Sequence, residues 1–128
     1  MLNKTIALIL LLNLSCLLSL KCQYKAEVYS AYISNKTDRW KNLIDRMEAM
    51  QNRSDELTLE LLNYQYGYIG YCLEYNKKDE AKSYYSLAEN NLKTLEKANI
   101  GKSMINAYKS AFYGIDRKST RLNSSHVS

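Results

Sequence analysis

The sequence contains no proline, and only four of its 128 residues are glycine, at positions 67, 70, 101 and 114. Chains built from strands are punctuated by Gly- and Pro-containing turns, so this scarcity argues against β architecture. Histidine occurs once, at His126, and phenylalanine once, whereas tyrosine occurs 12 times. With no histidine in residues 23–115, Cys72 lacks the customary base that activates a thiol nucleophile. Cys16 and Cys22 fall in the apolar N-terminal segment, which leaves Cys72 alone in the rest of the chain. One cysteine gives no disulfide framework and no metal spacing, and a lone cysteine is most often a buried apolar side chain. Asp45, Glu48, Asp55, Glu56 and Glu60 sit where helix faces and first turns want them, a poor basis for an acid/base pair. No catalytic residue, no metal ligand and no cofactor is assigned, and the chain reads as a non-enzyme.

Charge is scarce once it is placed. The formal net charge is +5, but Lys4 and Lys21 at one end, and Arg117, Lys118 and Arg121 against Asp116 at the other, supply four of those five units. Residues 23–115 carry +1, so nothing points to nucleic acid, which needs basic groups concentrated on the folded part.

The two ends differ from the middle. Residues 1–22, MLNKTIALILLLNLSCLLSLKC, place Lys4 before an apolar run over 6–20 and Lys21 after it, the layout of a secretory signal peptide. The run is shorter than the roughly 20 residues of a membrane-spanning helix. The expectation is export to the periplasm or the medium, with no membrane span once the leader is removed. Lipid anchoring at Cys22 is the weaker expectation, because Lys21 stands where such signals carry a small residue. At the other end, residues 116–126 spell DRKSTRLNSSH, identical at every position to one reading frame of a widely used sequencing-library adapter. Residues 116–128 are therefore expected to be a non-native, disordered tail on a domain interrupted near Ile115.

Between these ends the periodicity is helical. Trp40, Leu43, Ile44, Met47 and Met50 recur at three- and four-residue steps, predicting a helix over 38–50. A second long helix is expected over 55–75, with Ser54 as a cap, Asp55 and Glu56 in its first turn, and Leu62, Tyr66, Ile69 and Leu73 as its apolar stripe. A third is expected over 79–97, burying Ala81, Tyr85, Ala88, Leu92 and Leu95, and a fourth over 102–114 with Met104, Ala107, Tyr108, Ala111 and Phe112. Residues 26–34 read as a short helix. The fold class is all-α, a set of antiparallel helical hairpins. Gly67 and Gly70 lie inside a helix, without the strand-then-turn context of a phosphate loop.

Ala81, Tyr85 and Ala88 follow Trp40, Ile44 and Met47 by 41 residues, a period in the solenoid range. Tyr66, Ile69, Gly70 and Leu73, followed by Ala81, Tyr85 and Ala88, resemble the tetratricopeptide-repeat pattern over about residues 60–97. The loop is about one residue short of that family's spacing, its closing proline is absent, and 41 exceeds its period of 34. A generic α-solenoid and an unrelated helical bundle remain open alternatives. The resemblance implies a short stacked solenoid over residues 23–115. Tyr66, Ile69, Gly70, Leu73, Ala81, Tyr85 and Ala88 would pack the helices, with Gly70 and Ala81 as the small residues of close approach.

It also implies a protein or peptide partner in a groove formed by Tyr64, Gly67, Tyr71, Glu74 and Tyr75. Tyr64, Tyr68, Tyr71 and Tyr75 step by four, three and four, making a ridge that serves equally as core or as contact surface. The expected function is an exported protein-interaction scaffold; the alternative is an accessory helical domain of a longer enzyme. A fragment that ends on an uncapped helix is further expected to self-associate. Asn35-Lys36-Thr37 and Asn52-Arg53-Ser54 match the N-glycosylation triplet, which an Asn-rich chain produces by chance.

Overall fold

A computed structural model describes residues 3–124, with side chains described outside 17–21 and 119–124. Its five helices are α1 (Asn3–Ile33), α2 (Thr37–Ala49), α3 (Asp55–Glu74), α4 (Lys78–Lys97) and α5 (Lys102–Ser124), and no strand occurs among the described residues. The protein is all-α. Contacts divide it into two units, Met1–Arg46 and Met47–Ser128.

With proline absent and glycine rare, asparagine makes the turns. Asn35, Asn52, Asn76 and Asn99 each take a positive φ of 53–59°, one in each of the four connections between helices. Asparagine tolerates the left-handed region better than any other residue with a Cβ except its close analogues. After α1, the amide of Lys36 donates to Ala31 O at 2.9 Å and that of Asn35 to Tyr32 O at 3.2 Å. After α3, Lys77 N donates to Cys72 O at 2.7 Å and Asn76 N to Leu73 O at 3.3 Å. Both pairs are Schellman closures, which satisfy the last carbonyls of the helix.

Helix starts follow the expected chemistry. Ser54 Oγ accepts from Leu57 N at 3.2 Å, and Asp55 and Glu56 occupy the first turn of α3. Asp79 and Glu80 open α4, which has no side-chain cap at Lys77, and Lys97 closes it. These charges complement the helix dipole.

In the unit Met1–Arg46, α1 is longer than expected. The predicted leader and the predicted short helix over 26–34 are one continuous helix, because nothing between them breaks it: there is no Gly or Pro before residue 67. Asn13 Nδ2 donates to Ile9 O and Ser15 Oγ to Leu11 O, each at 2.9 Å, so each of these two side chains places one donor on the helix backbone. Tyr32 meets Trp40 edge-on at 6.3 Å, and Arg46 pairs with Glu27 at 2.5 Å.

In the unit Met47–Ser128, α3 and α4 form a helical hairpin, and α5 packs against both. Helix α4 buries one stripe: Ala81, Tyr84, Ala88, Asn91, Leu92 and Leu95. Helix α3 buries half of its length, including Leu57, Leu61, Leu62, Tyr64, Gln65, Tyr68, Ile69 and Cys72. Helix α5 contributes Ile105 and Phe112 to the core. It continues through Gly114 to Ser124, so residues 116–124, expected to be disordered, are helical. Gly114 costs a helix about 1 kcal/mol and does not end it, and the Arg, Lys and Leu that follow are good helix formers. Residues 125–128, including His126, lie outside the described residues.

The interior of this unit holds a polar cluster. Arg53 donates to Met47 O at 2.7 Å, to Glu48 O at 3.3 Å, to Thr58 Oγ1 at 3.2 Å and to Asn91 Oδ1 at 2.7 Å. The Asn91 amide donates to Glu48 Oε2 at 2.9 Å and to Gln65 Oε1 at 3.2 Å, and Gln65 Nε2 donates to the same Glu48 oxygen at 2.9 Å. Gln65 and Asn91 are buried. Such a network is worth most when every member is satisfied, and it fixes one arrangement of the end of α2, α3 and α4.

Candidate interaction surface

The tyrosine ridge of α3 runs from core to surface. Tyr64 and Tyr68 are 4 % and 2 % exposed, Tyr71 is half-buried and Tyr75 is 60 % exposed. Burial pushes the Tyr64 phenol well above its ordinary range, with the Glu60 carboxylate adding to the shift. The Tyr68 phenol is raised further, by burial first and then by its hydrogen bond to Glu80 Oε1 at 2.6 Å. Tyr68 also packs edge-on against Tyr84, 4.9 Å away at 72°. These two tyrosines are core.

The other half of the ridge forms a ledge where α3 ends. The Tyr71 and Tyr75 rings lie 4.7 Å apart at 37°, and Tyr68 continues the series 5.8 Å from Tyr71. Lys77 Nζ sits 5.3 Å from the centre of the Tyr71 ring, within the range of a cation–π contact. The Schellman turn at Asn76 brings Lys77 back over this end of the helix. Glu74 is exposed beside the ledge, and Gly67 is half-buried one turn above it.

Of the five expected groove residues, then, Tyr71, Glu74 and Tyr75 share an accessible end of α3, while Tyr64 is removed from any groove by burial. The expected packing residues are also redistributed. Ile69, Ala81 and Ala88 are buried at 0 %, 4 % and 0 % exposure, and Leu73 is half-buried. Gly70 is not a point of close approach: a Cβ there would meet nothing within 4 Å. Tyr66 is 39 % exposed and touches Phe112 edge-on at 5.8 Å. Tyr85 is half-buried and meets Phe112 at 5.7 Å, while its neighbour Tyr84 takes the core position.

Other features were not legible beforehand. Lys77 gave no pattern by which to find it. Arg53 lies in the turn before α3 and Asn91 on α4, and no local signal marks a polar side chain whose partners lie on other helices. A concavity of about 240 Å³ lies between α4 and α5, lined by Tyr85, Leu92, Phe112 and Tyr113 with Glu89, Lys93, Glu96 and Lys109 around it. A Lys109–Glu96 ion pair links its two helices.

Burial and the nearby Glu80 carboxylate raise the Cys72 thiol, which favours its neutral, non-nucleophilic form. Among the described residues no group of three or more His, Cys, Asp or Glu side chains converges as metal ligands. No helix among them is long and apolar enough to cross a membrane. Compared with known proteins, the chain matches no family model, no curated protein and no solved structure.

Proposed function

We propose that the protein is an exported helical interaction scaffold that takes up a protein or peptide through the ledge of Tyr71 and Tyr75. The observation that carries this reading is the tilted pair of neighbouring rings itself, with Tyr71 half-buried and Tyr75 60 % exposed at the end of a helix whose other ridge tyrosines, Tyr64 and Tyr68, are buried. A large amphipathic ring left in solvent, with few rotatable bonds and a hydroxyl at its tip, is the side chain most often found at the centre of a contact surface. Lys77 and Glu74 supply a cation and an anion at its rim. The tetratricopeptide-like reading is retained only as a helical hairpin repeat, supported by the α3–α4 hairpin and by Ala81 and Ala88 in its core. Delivery across a membrane is assigned to the apolar leader, and lipid attachment at Cys22 remains the lesser route.

The test is a capture experiment on exported or periplasmic extract with the wild type and with Tyr71→Ala/Tyr75→Ala. Loss of a captured partner with an unchanged melting temperature supports the reading. Equal capture by both chains, or collapse of the fold, sinks it.

A further inference from the structure

Each of the four turns between helices holds an asparagine of positive φ, and two of these turns carry something more. Asn35-Lys36-Thr37, between α1 and α2, and Asn52-Arg53-Ser54, between α2 and α3, place a hydroxyl side chain two residues after the turn asparagine. The other two, Asn76-Lys77-Lys78 and Asn99-Ile100-Gly101, do not. Asn-x-Ser/Thr is the acceptor of N-linked glycans, provided that x is not proline. Chance supplies such triplets to an Asn-rich chain, but it does not decide where they fall in the fold. Three more start at Asn3, Asn13 and Asn123, where the asparagine is wound into α1 or α5.

Asn35 and Asn52 meet the physical requirements of an acceptor. Both are exposed, and among the described residues no hydrogen bond engages either side-chain amide. The amide of Asn91, by contrast, is taken up by Glu48 and Gln65. With φ at 53° and 56°, each of the two sits where the chain reverses between helices. A large polar group attached at such a turn stands in water and displaces no packed side chain.

We propose that the exported chain is N-glycosylated at Asn35 and Asn52. The co-reactant is an oligosaccharide carried on a lipid diphosphate, presented by a transferase on the far side of the membrane. Asn Nδ2 attacks the anomeric carbon of the first sugar. A C–N bond forms, the C–O bond to the diphosphate breaks, the lipid diphosphate leaves with the bonding pair, and the amide gives up one proton. Nothing is oxidised or reduced. The proposal rests on the export reading, because that transferase meets only chain that has crossed the membrane. A glycan at Asn52 leaves the ledge free: Asn52 precedes α3 and Tyr75 follows it, so the 20 residues of the helix set the two about 30 Å apart. Asn76, the turn residue beside the ledge, is not an acceptor.

The experiment is translation of the full chain, leader present, with endoplasmic-reticulum microsomes and protease added outside. The protected product is then treated with a peptide N-glycosidase, which turns each glycosylated amide into a carboxylate, and its peptides are mapped by mass. Conversion is expected at Asn35 and at Asn52. Asn35→Gln and Asn52→Gln should each remove one glycan-sized increment from the protected product, and Thr37→Ala and Ser54→Ala should remove the same increments with both asparagines in place. A protected product whose Asn35 and Asn52 are unconverted overturns the proposal and leaves export standing. A mass shift unchanged in Asn35→Gln/Asn52→Gln overturns it too, by placing the sugar elsewhere. A product that the protease digests completely overturns the export reading and this one with it.

Discussion

Tyr68 and Tyr75 are the same residue on the same ridge of the same helix, two turns apart, yet one is 2 % exposed and the other 60 %. Helix α4 makes the difference: Tyr84 and Glu80 close over Tyr68, whereas Tyr75 lies where α3 gives way to the turn. Residue type set the aromatic ridge; position along the hairpin decided which part became core and which part surface.

The largest effect is expected from the buried half. Tyr68→Ala should cost about 3–5 kcal/mol, read as a drop in the urea midpoint at constant slope. A loss below about 1 kcal/mol would put Tyr68 with the ledge.

The same burial gives a pH dependence. The folded pKa of Tyr68 is raised above the ordinary value of about 10, so its contribution is complete below that pH and is lost as pH rises above it. Urea midpoints are expected to fall above about pH 10, and Tyr68→Phe should shrink that alkaline loss. An alkaline loss of unchanged size in Tyr68→Phe would assign it to other groups, Tyr64 among them.

Asn91→Leu removes one member of the polar cluster and leaves Arg53 and Gln65 short of a partner in the interior. A cost of about 2 kcal/mol or more is expected, and Leu at both Asn91 and Gln65 should not simply add. Additive behaviour would show that the two side chains act independently.

Gly70→Ala runs in the opposite direction. It is exposed, helical and without a neighbour near its Cβ, so the substitution should stabilise by about 0.5–1 kcal/mol. Destabilisation would restore it as a point of close helix approach.

The smallest effect on stability is expected at Tyr75. Tyr75→Ala should change it by less than about 0.5 kcal/mol while abolishing partner capture. A loss comparable to that of Tyr68→Ala would erase the distinction between the two halves of the ridge.

The helices themselves were legible, because α2 and α4 are amphipathic with three- and four-residue steps, although the steps in α4 fit Tyr85 as well as Tyr84, which takes the core position. Helix α3 was harder. Leu57, Leu61, Leu62, Ile69 and Cys72 spread apolar residues over more than one face, so periodicity could not choose between the stripe of Leu62, Tyr66, Ile69 and Leu73 and the buried series of Leu61, Gln65, Tyr68 and Cys72. Gln65 carries no local sign of burial, because its partners Glu48 and Asn91 lie on other helices. The stripe places Tyr66 inward, whereas Gly70 inward and Tyr64 in the groove follow from the tetratricopeptide resemblance. The tail was misjudged for another reason. Its Ser- and Asn-rich composition argues against an independent fold, but the segment 116–124 does not start a helix; it extends one already nucleated at Lys102.

The asparagine turns also bear on how quickly the protein can reach its native state. Each helix of the unit Met47–Ser128 finds its main packing partner immediately across a three- or four-residue connection or one helix further on. Search distances along the chain are therefore short, and no X–Pro bond exists to impose a wait of seconds on refolding. Renaturation is accordingly expected within roughly milliseconds, with the hairpin closing as soon as both of its helices are available.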